Sequence, residues 1–218
     1  EAEENMVDVK RDDKTIRDFV IPTQEFTDVM VTMTSVKVIK NHEPHQVDVK
    51  IKLRRKHRLL VSGTNGIGKS TLLRTLASGK DEGLVIDPEV KVGYYRQDFS
   101  GLDFDQTAYD SLGSMMDEVD NERLRTVAAQ FLLTSDLLKN KVGSLSEGQK
   151  GLLCFARFVL QQPGLLILDE PTNHINFRHL PVIAQALQNF QGCLIVVSHA
   201  PDFVRQITFT EELDLSRL

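Results

Sequence analysis

The sequence has no tryptophan and is poor in both cysteine and aromatic residues. Its 218 residues include 2 cysteines, and 6% are aromatic. Cys154 and Cys193 lie in apolar runs without metal-ligand spacing, and the 6 histidines form no zinc-like pair. This pattern excludes a disulfide-stapled secreted domain and a zinc module, and it predicts reduced, buried thiols in a cytoplasmic protein.

Long apolar runs and a strong net charge are also missing. No run approaches the roughly 20 residues of a membrane-spanning helix, so we expect no transmembrane segment of the chain's own. Residues 1–4 are acidic, unlike a signal peptide, and the absence of an initial Met indicates a fragment. The net charge of −5 disfavours nucleic-acid binding across the whole surface. Residues 50–58 are a basic exception, which indicates either a solvated strand face or a contact with RNA phosphate.

What the sequence does contain is a glycine-rich loop at residues 63–70. It has the letters GTNGIGKS and matches the phosphate-binding pattern G-x-x-x-x-G-K-[ST]. The glycines let backbone N–H groups turn inward around an anion, Lys69 can reach the outer phosphates, and the Ser70 hydroxyl can bind Mg²⁺. The alternative is a glycine-rich turn without a ligand.

The segments around this loop supply the context that the motif requires. A short apolar strand is predicted before the loop and a helix after it, so a helix N-terminus is aimed at the phosphates. The predicted nucleotide-binding residues of this region are Gly63, Thr64, Asn65, Gly66, Ile67, Gly68, Lys69, Ser70 and Thr71.

Two carboxylates follow an apolar strand predicted at residues 165–168. In an open parallel sheet, ligands bind at the carboxyl ends of the strands. Asp169 is therefore placed to hold Mg²⁺, and Glu170 is placed to orient and deprotonate an attacking water. Such a base contributes about 10²–10⁴ in rate. The alternative is a strand that simply runs into an Asp-Glu-Pro turn, and the phosphate loop elsewhere in the chain disfavours it.

A third motif, LSEGQ, occupies residues 145–149. Ser146 and Gln149 have the spacing of a capping box, which predicts that a helix starts there. Gly148 leaves the backbone N–H accessible to a closely approaching anion. The alternative is a well-capped helix with no ligand.

In chain order, the glycine loop, Gln97, LSEGQ, LILDEP at residues 166–171 and the Ser198-His199 pair resemble an ATP-binding-cassette (ABC) nucleotide-binding domain. The resemblance covers about residues 26–215. It implies an α/β fold of the P-loop NTPase class, with a mainly parallel core sheet, an antiparallel β subdomain and a helical subdomain that carries the LSEGQ signature. It also implies ATP and Mg²⁺ as cofactors.

The resemblance assigns roles to single residues. The implied catalytic residues are Lys69, Glu170 and His199, the last on the γ-phosphate. The implied metal-binding residues are Ser70, Gln97 and Asp169, and Gln97 also contacts ATP. Of the signature, Ser146, Gly148 and Gln149 would bind the ATP held by a second cassette in a head-to-tail pair.

Residues 170–176 look most like the F subfamily, whose members are soluble twin-cassette proteins, many of them acting on the ribosome. This implies a linker at residues 1–25 and an ATP-binding domain at 26–218, with the helical subdomain at about 101–150. The partners would be a second cassette and the ribosome or RNA. The alternatives are the ATPase subunit of a membrane transporter, or a nucleotide-binding switch with little turnover.

Three positions depart from the family pattern. Glu147 stands where the family usually has glycine, and a carboxylate there would repel phosphate unless it points away. Asn176 stands where the family usually has aspartate. No aromatic residue lies between Val36 and His45 to stack on adenine, so His42 or His45 is the expected substitute.

Overall fold

The computed structural model describes residues 14–218. Its strands are β1 (Val31–Lys40), β2 (Glu43–Leu53), β3 (Arg58–Ser62), β4 (Leu84–Ile86), β5 (Val92–Tyr95), β6 (Leu165–Asp169), β7 (Cys193–Val197) and β8 (Glu211–Asp214). Its helices are α1 (Lys69–Ser78), α2 (Ala108–Gly113), α3 (Asn121–Gln130), α4 (Ser135–Lys139), α5 (Glu147–Gln161), α6 (Leu180–Asn189) and α7 (Pro201–Val204).

The strands form two separate sheets. The larger sheet is parallel and has the order β5-β6-β7-β3-β8. The smaller sheet is antiparallel, with β1 between β2 and β4. The α/β class, the mainly parallel core sheet and the antiparallel unit predicted from the sequence are therefore confirmed.

The central strands are apolar throughout because both faces of the parallel sheet are covered. Every residue of β6 and β7 is buried. Alternate residues of a strand point to opposite faces, so Leu166 and Leu168 pack with the helical side while Leu165 and Ile167 pack with the side that carries the antiparallel sheet. Unbroken apolar strands are typical of parallel sheets enclosed in this way.

β4 and β5 are close in sequence but lie in different sheets. β4 pairs with β1, where Val31 lies opposite Ile86. β5 instead pairs in parallel with β6. Two short apolar strands close in sequence suggest a hairpin, but here each finds a longer partner far away along the chain.

α2 and α3 pack against α5, and α4 packs against α2, to form the helical part of the molecule. Their N-termini are capped by the side chains of Thr107, Asp120 and Thr134, each of which accepts a hydrogen bond from a backbone N–H of the first turn. Such caps satisfy donors that have no partner within the helix. Leu112 and Leu124 contribute buried side chains to the apolar cluster that includes α5.

Residues 14–25, which we call the N-terminal strap, belong to the folded domain. The sequence predicted a linker over 1–25, of which residues 1–13 lie outside the described residues. In the strap, Ile16, Phe19 and Ile21 are buried in the same cluster as α5. The Phe19 ring meets that of Phe131 edge-on, with centroids 4.7 Å apart. The sequence alone did not reveal this packing. Charged residues separate the apolar ones, and the helices that they contact are distant in sequence.

Within the residues described, none of the helices has the length and apolar character needed to cross a bilayer.

The strap provides a direct stability test. Phe19→Ala should lower the free energy of unfolding by roughly 3 kcal/mol, because it removes a buried aromatic ring and leaves a cavity. The neighbouring Val20, which is 74% exposed, is the matched control. Val20→Ala should change stability by less than about 0.5 kcal/mol. Urea denaturation of the 218-residue chain measures both, and equal midpoints for the two variants would contradict the packing role of the strap.

Candidate functional site

The glycine-rich loop connects β3 to α1 and adopts a backbone that side chains disfavour. Gly63 and Gly68 have φ angles of 143° and 112°, in the region that only glycine enters freely. A Cβ on Gly63 would also lie 2.9 Å from Cγ2 of Ile67. Gly68 occupies the N-cap of α1 without a side-chain cap. The first N–H groups of α1 are therefore left for an anion, as expected for a phosphate-binding loop.

Lys69 lies across this loop in a buried position, with 7% of its surface exposed. Its Nζ donates hydrogen bonds to the carbonyl oxygens of Gly63 at 2.7 Å and Thr64 at 3.0 Å. Burial lowers the pKa of Lys69, and the nearby carboxylates of Glu170 and Asp169 oppose that shift. The ammonium is thus held over the loop, beside the two acidic residues predicted for the site.

Asp169 ends β6 and is 3% exposed. Burial raises the pKa of this carboxyl, while a hydrogen bond from the Ser70 side chain opposes the rise. Its Oδ1 atom is buried and has no hydrogen-bond partner within the described part of the chain. A carboxylate oxygen without a partner beside a serine hydroxyl is the kind of oxygen ligand set that Mg²⁺ prefers, so the residues present fit that ion.

Glu170 is held in a strained position directly after β6. It is a non-glycine residue with a φ of 51°, and it is 6% exposed. Its backbone N–H donates to the carbonyl oxygen of Val197 at 2.8 Å. Such a conformation costs on the order of 1 kcal/mol and persists only where the surroundings enforce it, most often at functional sites.

The Glu170 carboxylate faces His199. Oε2 accepts a hydrogen bond from the backbone N–H of His199 at 3.1 Å. Oε1 is buried and forms no hydrogen bond with any of the described residues, although it lies 3.2 Å from the His199 ring atom Nε2. Burial raises the pKa of Glu170, and both contacts with His199 oppose the rise. A carboxylate with a raised pKa and a free oxygen has the properties of a general base.

One cleft of about 370 Å³ brings most of the predicted residues together. Its walls include the glycine loop, Lys69, Ser70, Thr71, Gln97, Glu170 and His199. A smaller cavity of about 150 Å³ lies between Gln97 and Asp169. Tyr94 also lines that cavity, and burial together with the Asp169 charge raises the pKa of Tyr94 to about 12. Gln97 therefore borders both the cleft and the neighbourhood of Asp169.

Three residues that line the cleft were not predicted from the sequence. Ile39 on β1 and Val197 at the end of β7 contribute apolar walls, and Asn173 follows the Glu170 turn. None of them carries a recognisable signal, because aliphatic strand residues and a turn asparagine are common everywhere. His42 and His45, the residues expected to replace an adenine-stacking aromatic, do not line this cleft. Ile39 is the apolar side chain that the structure offers at that wall.

The LSEGQ motif begins α5, as predicted. Ser146 Oγ accepts from the Gln149 backbone N–H at 3.1 Å, and Gln149 Oε1 accepts from the Ser146 N–H at 2.9 Å. This is the predicted capping box. Ser146, Gly148 and Gln149 do not line the cleft described above. The structure thus gathers the loop, both carboxylates, Gln97 and His199, and leaves the LSEGQ residues outside.

Comparison with known proteins agrees with this geometry. Residues 47–173 match the family described as ABC transporter. The chain is 38% identical over 155 residues to the "Probable ATP-binding protein YbiT" of Escherichia coli O157:H7, an alignment that covers 69% of this chain and 29% of that protein. It is 36% identical over 174 residues to the "Probable ATP-binding cassette sub-family F member 3 homolog" of Encephalitozoon cuniculi, covering 77% of this chain and 31% of that protein.

The chain spans less than a third of the length of these two relatives, since it covers 29% and 31% of them. Among solved structures, it matches one described as "An inward-facing conformation of a putative metal-chelate type ABC transporter" with a TM-score of 0.66, covering 86% of this chain and 80% of that one. At 23% identity, that likeness shows the fold alone. The phosphate loop, the two carboxylates after β6 and the family match together identify the chain as an ATP-binding cassette that belongs to the ABC transporter family and resembles cassettes of its F subfamily.

Proposed function

We propose that this domain hydrolyses ATP with Mg²⁺ as one cassette of a head-to-tail pair in a cytoplasmic twin-cassette protein, and that closure of the pair drives a task on the ribosome. The observation that carries the ATPase proposal is the single cleft that joins the glycine loop and Lys69 to Glu170, His199 and Gln97. Catalysis in such a site rests on positioning and electrostatic stabilisation.

The loop and Lys69 would bind the phosphates. Backbone N–H groups at the start of α1 face the loop, and the Lys69 ammonium already lies over it. Ser70 and Asp169 would hold Mg²⁺, with Gln97 beside them across the smaller cavity. When bound, the ion would neutralise charge on the phosphate oxygens.

Glu170 would take the proton from the attacking water, because its buried Oε1 is not hydrogen-bonded within residues 14–218. The backbone N–H of His199 fixes the other oxygen, so the carboxylate has a defined orientation. The His199 side chain is 52% exposed and borders the cleft, where it can contact the γ-phosphate.

The site would be completed by a second cassette. Ser146 and Gly148 lie at the N-terminus of α5, an end that favours anions, but outside the cassette's own cleft. We therefore assign them to the ATP of the partner cassette. A domain without its partner should turn over ATP slowly.

The ribosomal part of the proposal is supported by the F-subfamily relatives and by a basic edge. β2 is an outer strand of the antiparallel sheet, and its Lys50 and Lys52 side chains are exposed. Both could reach RNA phosphates. The competing function, the ATPase subunit of a membrane transporter, makes the opposite prediction about partners.

Glu170→Gln provides the test of the chemistry. The variant should keep ATP affinity, because the loop and Lys69 are unchanged, but lose at least 100-fold in turnover, since a positioned base contributes about 10²–10⁴. In the full-length protein it should trap a closed, ATP-loaded pair, detectable by scattering or cross-linking. ATP titration and phosphate release separate the two effects, and turnover equal to the parent would show that Glu170 is not the base.

Lys69→Ala is the companion control for that experiment. It should abolish ATP binding, because it removes the buried ammonium that lies over the loop. A Lys69→Ala protein that binds ATP as the parent does would place the nucleotide somewhere other than this cleft.

The partner prediction uses the trapped full-length Glu170→Gln protein. With ATP it should sediment with ribosomes rather than with membranes, and Lys69→Ala should sediment with neither. ATP-dependent sedimentation with membranes alone would favour the transporter function and exclude the ribosomal one.

Asp169→Asn should separate metal binding from stability. Burial raises the pKa of Asp169, so the charged carboxylate destabilises the folded protein at neutral pH. The neutral amide should raise the melting temperature without nucleotide by about 2–4 °C, the shift expected for roughly 1 kcal/mol in a domain of this size. That advantage should shrink as the pH falls through the folded-state pKa, because the parent carboxyl then becomes neutral too.

Calorimetry with and without Mg·ATP checks both sides of this prediction. The parent should gain more stability from Mg·ATP than Asp169→Asn does. A ligand stabilises the folded protein in proportion to how tightly it binds, and the variant lacks one proposed metal ligand. Asp28→Asn is the matched control, since Asp28 is exposed and its replacement should change the melting temperature little. If Asp169→Asn melted at the parent temperature and responded equally to Mg·ATP, the metal assignment would fail.

A further inference from the structure

His174 joins two parts of the molecule that the motifs alone leave separate. Its ring atom Nδ1 lies 2.9 Å from Oε2 of Glu147, the first residue of α5. Its Nε2 lies 3.2 Å from the backbone carbonyl oxygen of Gln97. The ring also packs against Phe99, with centroids 5.3 Å apart. The imidazole is therefore held on three sides.

Both polar partners of this ring are acceptors. A carboxylate and a backbone carbonyl offer no hydrogen to donate, and a neutral imidazole carries one N–H. With a hydrogen on Nδ1, the imidazole donates to the Glu147 carboxylate across the 2.9 Å contact, and this hydrogen bond directs the carboxylate.

The first turn of α5 is packed closely onto the segment that contains His174. A Cβ on Gly148 would lie 3.3 Å from the His174 carbonyl oxygen, and one on Gly151 would lie 2.8 Å from Cγ1 of Ile175. Glu147 itself is 69% exposed. Lys150, the cation on this turn, donates to the Leu145 carbonyl oxygen instead of contacting Glu147. The geometry leaves His174 as the group that directs the Glu147 side chain.

We propose that His174 is a positioning residue that turns the Glu147 carboxylate back onto its own cassette, so that the N-terminus of α5 can approach the ATP of the partner cassette. The packing of Phe99 against the ring holds it in place for this task. The proposal rests on the head-to-tail pairing proposed above. It explains how a carboxylate can stand at a position where a free one would repel phosphate.

The test is the ATP turnover of the full-length protein in four forms: the parent, His174→Ala, Glu147→Gly and the double variant. His174→Ala should lower kcat roughly 3- to 10-fold, because an unpaired carboxylate then faces the partner's phosphates, and like charges that face each other across an interface repel. KM for ATP should stay within about twofold, since the cassette's own cleft is intact. Adding Glu147→Gly to His174→Ala should restore turnover.

This rescue distinguishes positioning from a purely structural role. If His174 mattered only for folding, the double variant would remain as impaired as His174→Ala, and the proposal would be overturned. Glu147→Gly alone should stay within about twofold of the parent, because no carboxylate then needs to be directed. Arg123→Ala, at an exposed position on α3, is the matched control and should leave kcat unchanged.

A second measurement does not depend on ATP turnover. Urea midpoints of the same four forms should be non-additive if the 2.9 Å contact between His174 and Glu147 exists in solution, and additive midpoints would overturn the proposal. A parent that fails to hydrolyse ATP would refute the proposed function, whereas an active parent without rescue would refute only the role of His174.

Discussion

The parallel register between β6 and β7 is the constraint on which the rest of the site depends. It sets Asp169 opposite Val197, and the N–H of Glu170 then donates to the Val197 carbonyl oxygen. These bonds hold Glu170 in its unusual backbone conformation and bring His199 against its carboxylate. β3 lies on the other side of β7 and delivers the glycine loop to the same edge of the sheet. Three strand ends thus bring the glycine loop, the proposed metal ligand Asp169 and the proposed base Glu170 to one edge of the sheet.

This arrangement concentrates charge where the fold would exclude it. Three charged residues of the site are buried: Lys69, Asp169 and Glu170. Burial lowers the pKa of Lys69 and raises the pKa of the two carboxyls, which in each case favours the neutral form. Their mutual attraction opposes the shifts only in part. The apolar cores on both faces of the sheet must therefore offset the free-energy cost of burying these three charged groups. Groups in such a state are poised to interact with ions that complement them, which is why perturbed carboxylates mark functional sites.

The local motifs were predictable because each depends on a short stretch of sequence. A glycine loop, a capping box and an apolar strand ending in carboxylates all contain the residues that determine their geometry. Contacts between distant segments were not predictable in the same way. Ile39 enters the cleft because β1 packs beside the loop. Phe19 is buried because the strap packs against residues more than 100 positions away, such as Phe131. The separation of β4 from β5 has the same cause, since the partner strand decides the sheet.

The N-terminus of α5 shows why a departure from a motif must be judged together with its spatial neighbours. The partial positive charge there favours the carboxylate of Glu147 just as it favours a phosphate, so the two anions compete for one helix end. Sequence alone suggests that the carboxylate weakens the site. The contact with His174 changes this balance, because the carboxylate lies 2.9 Å from the imidazole Nδ1 and is held to the side of the helix end. The helix end is then left with its backbone N–H groups, which is the state in which it can accept the phosphate of a partner.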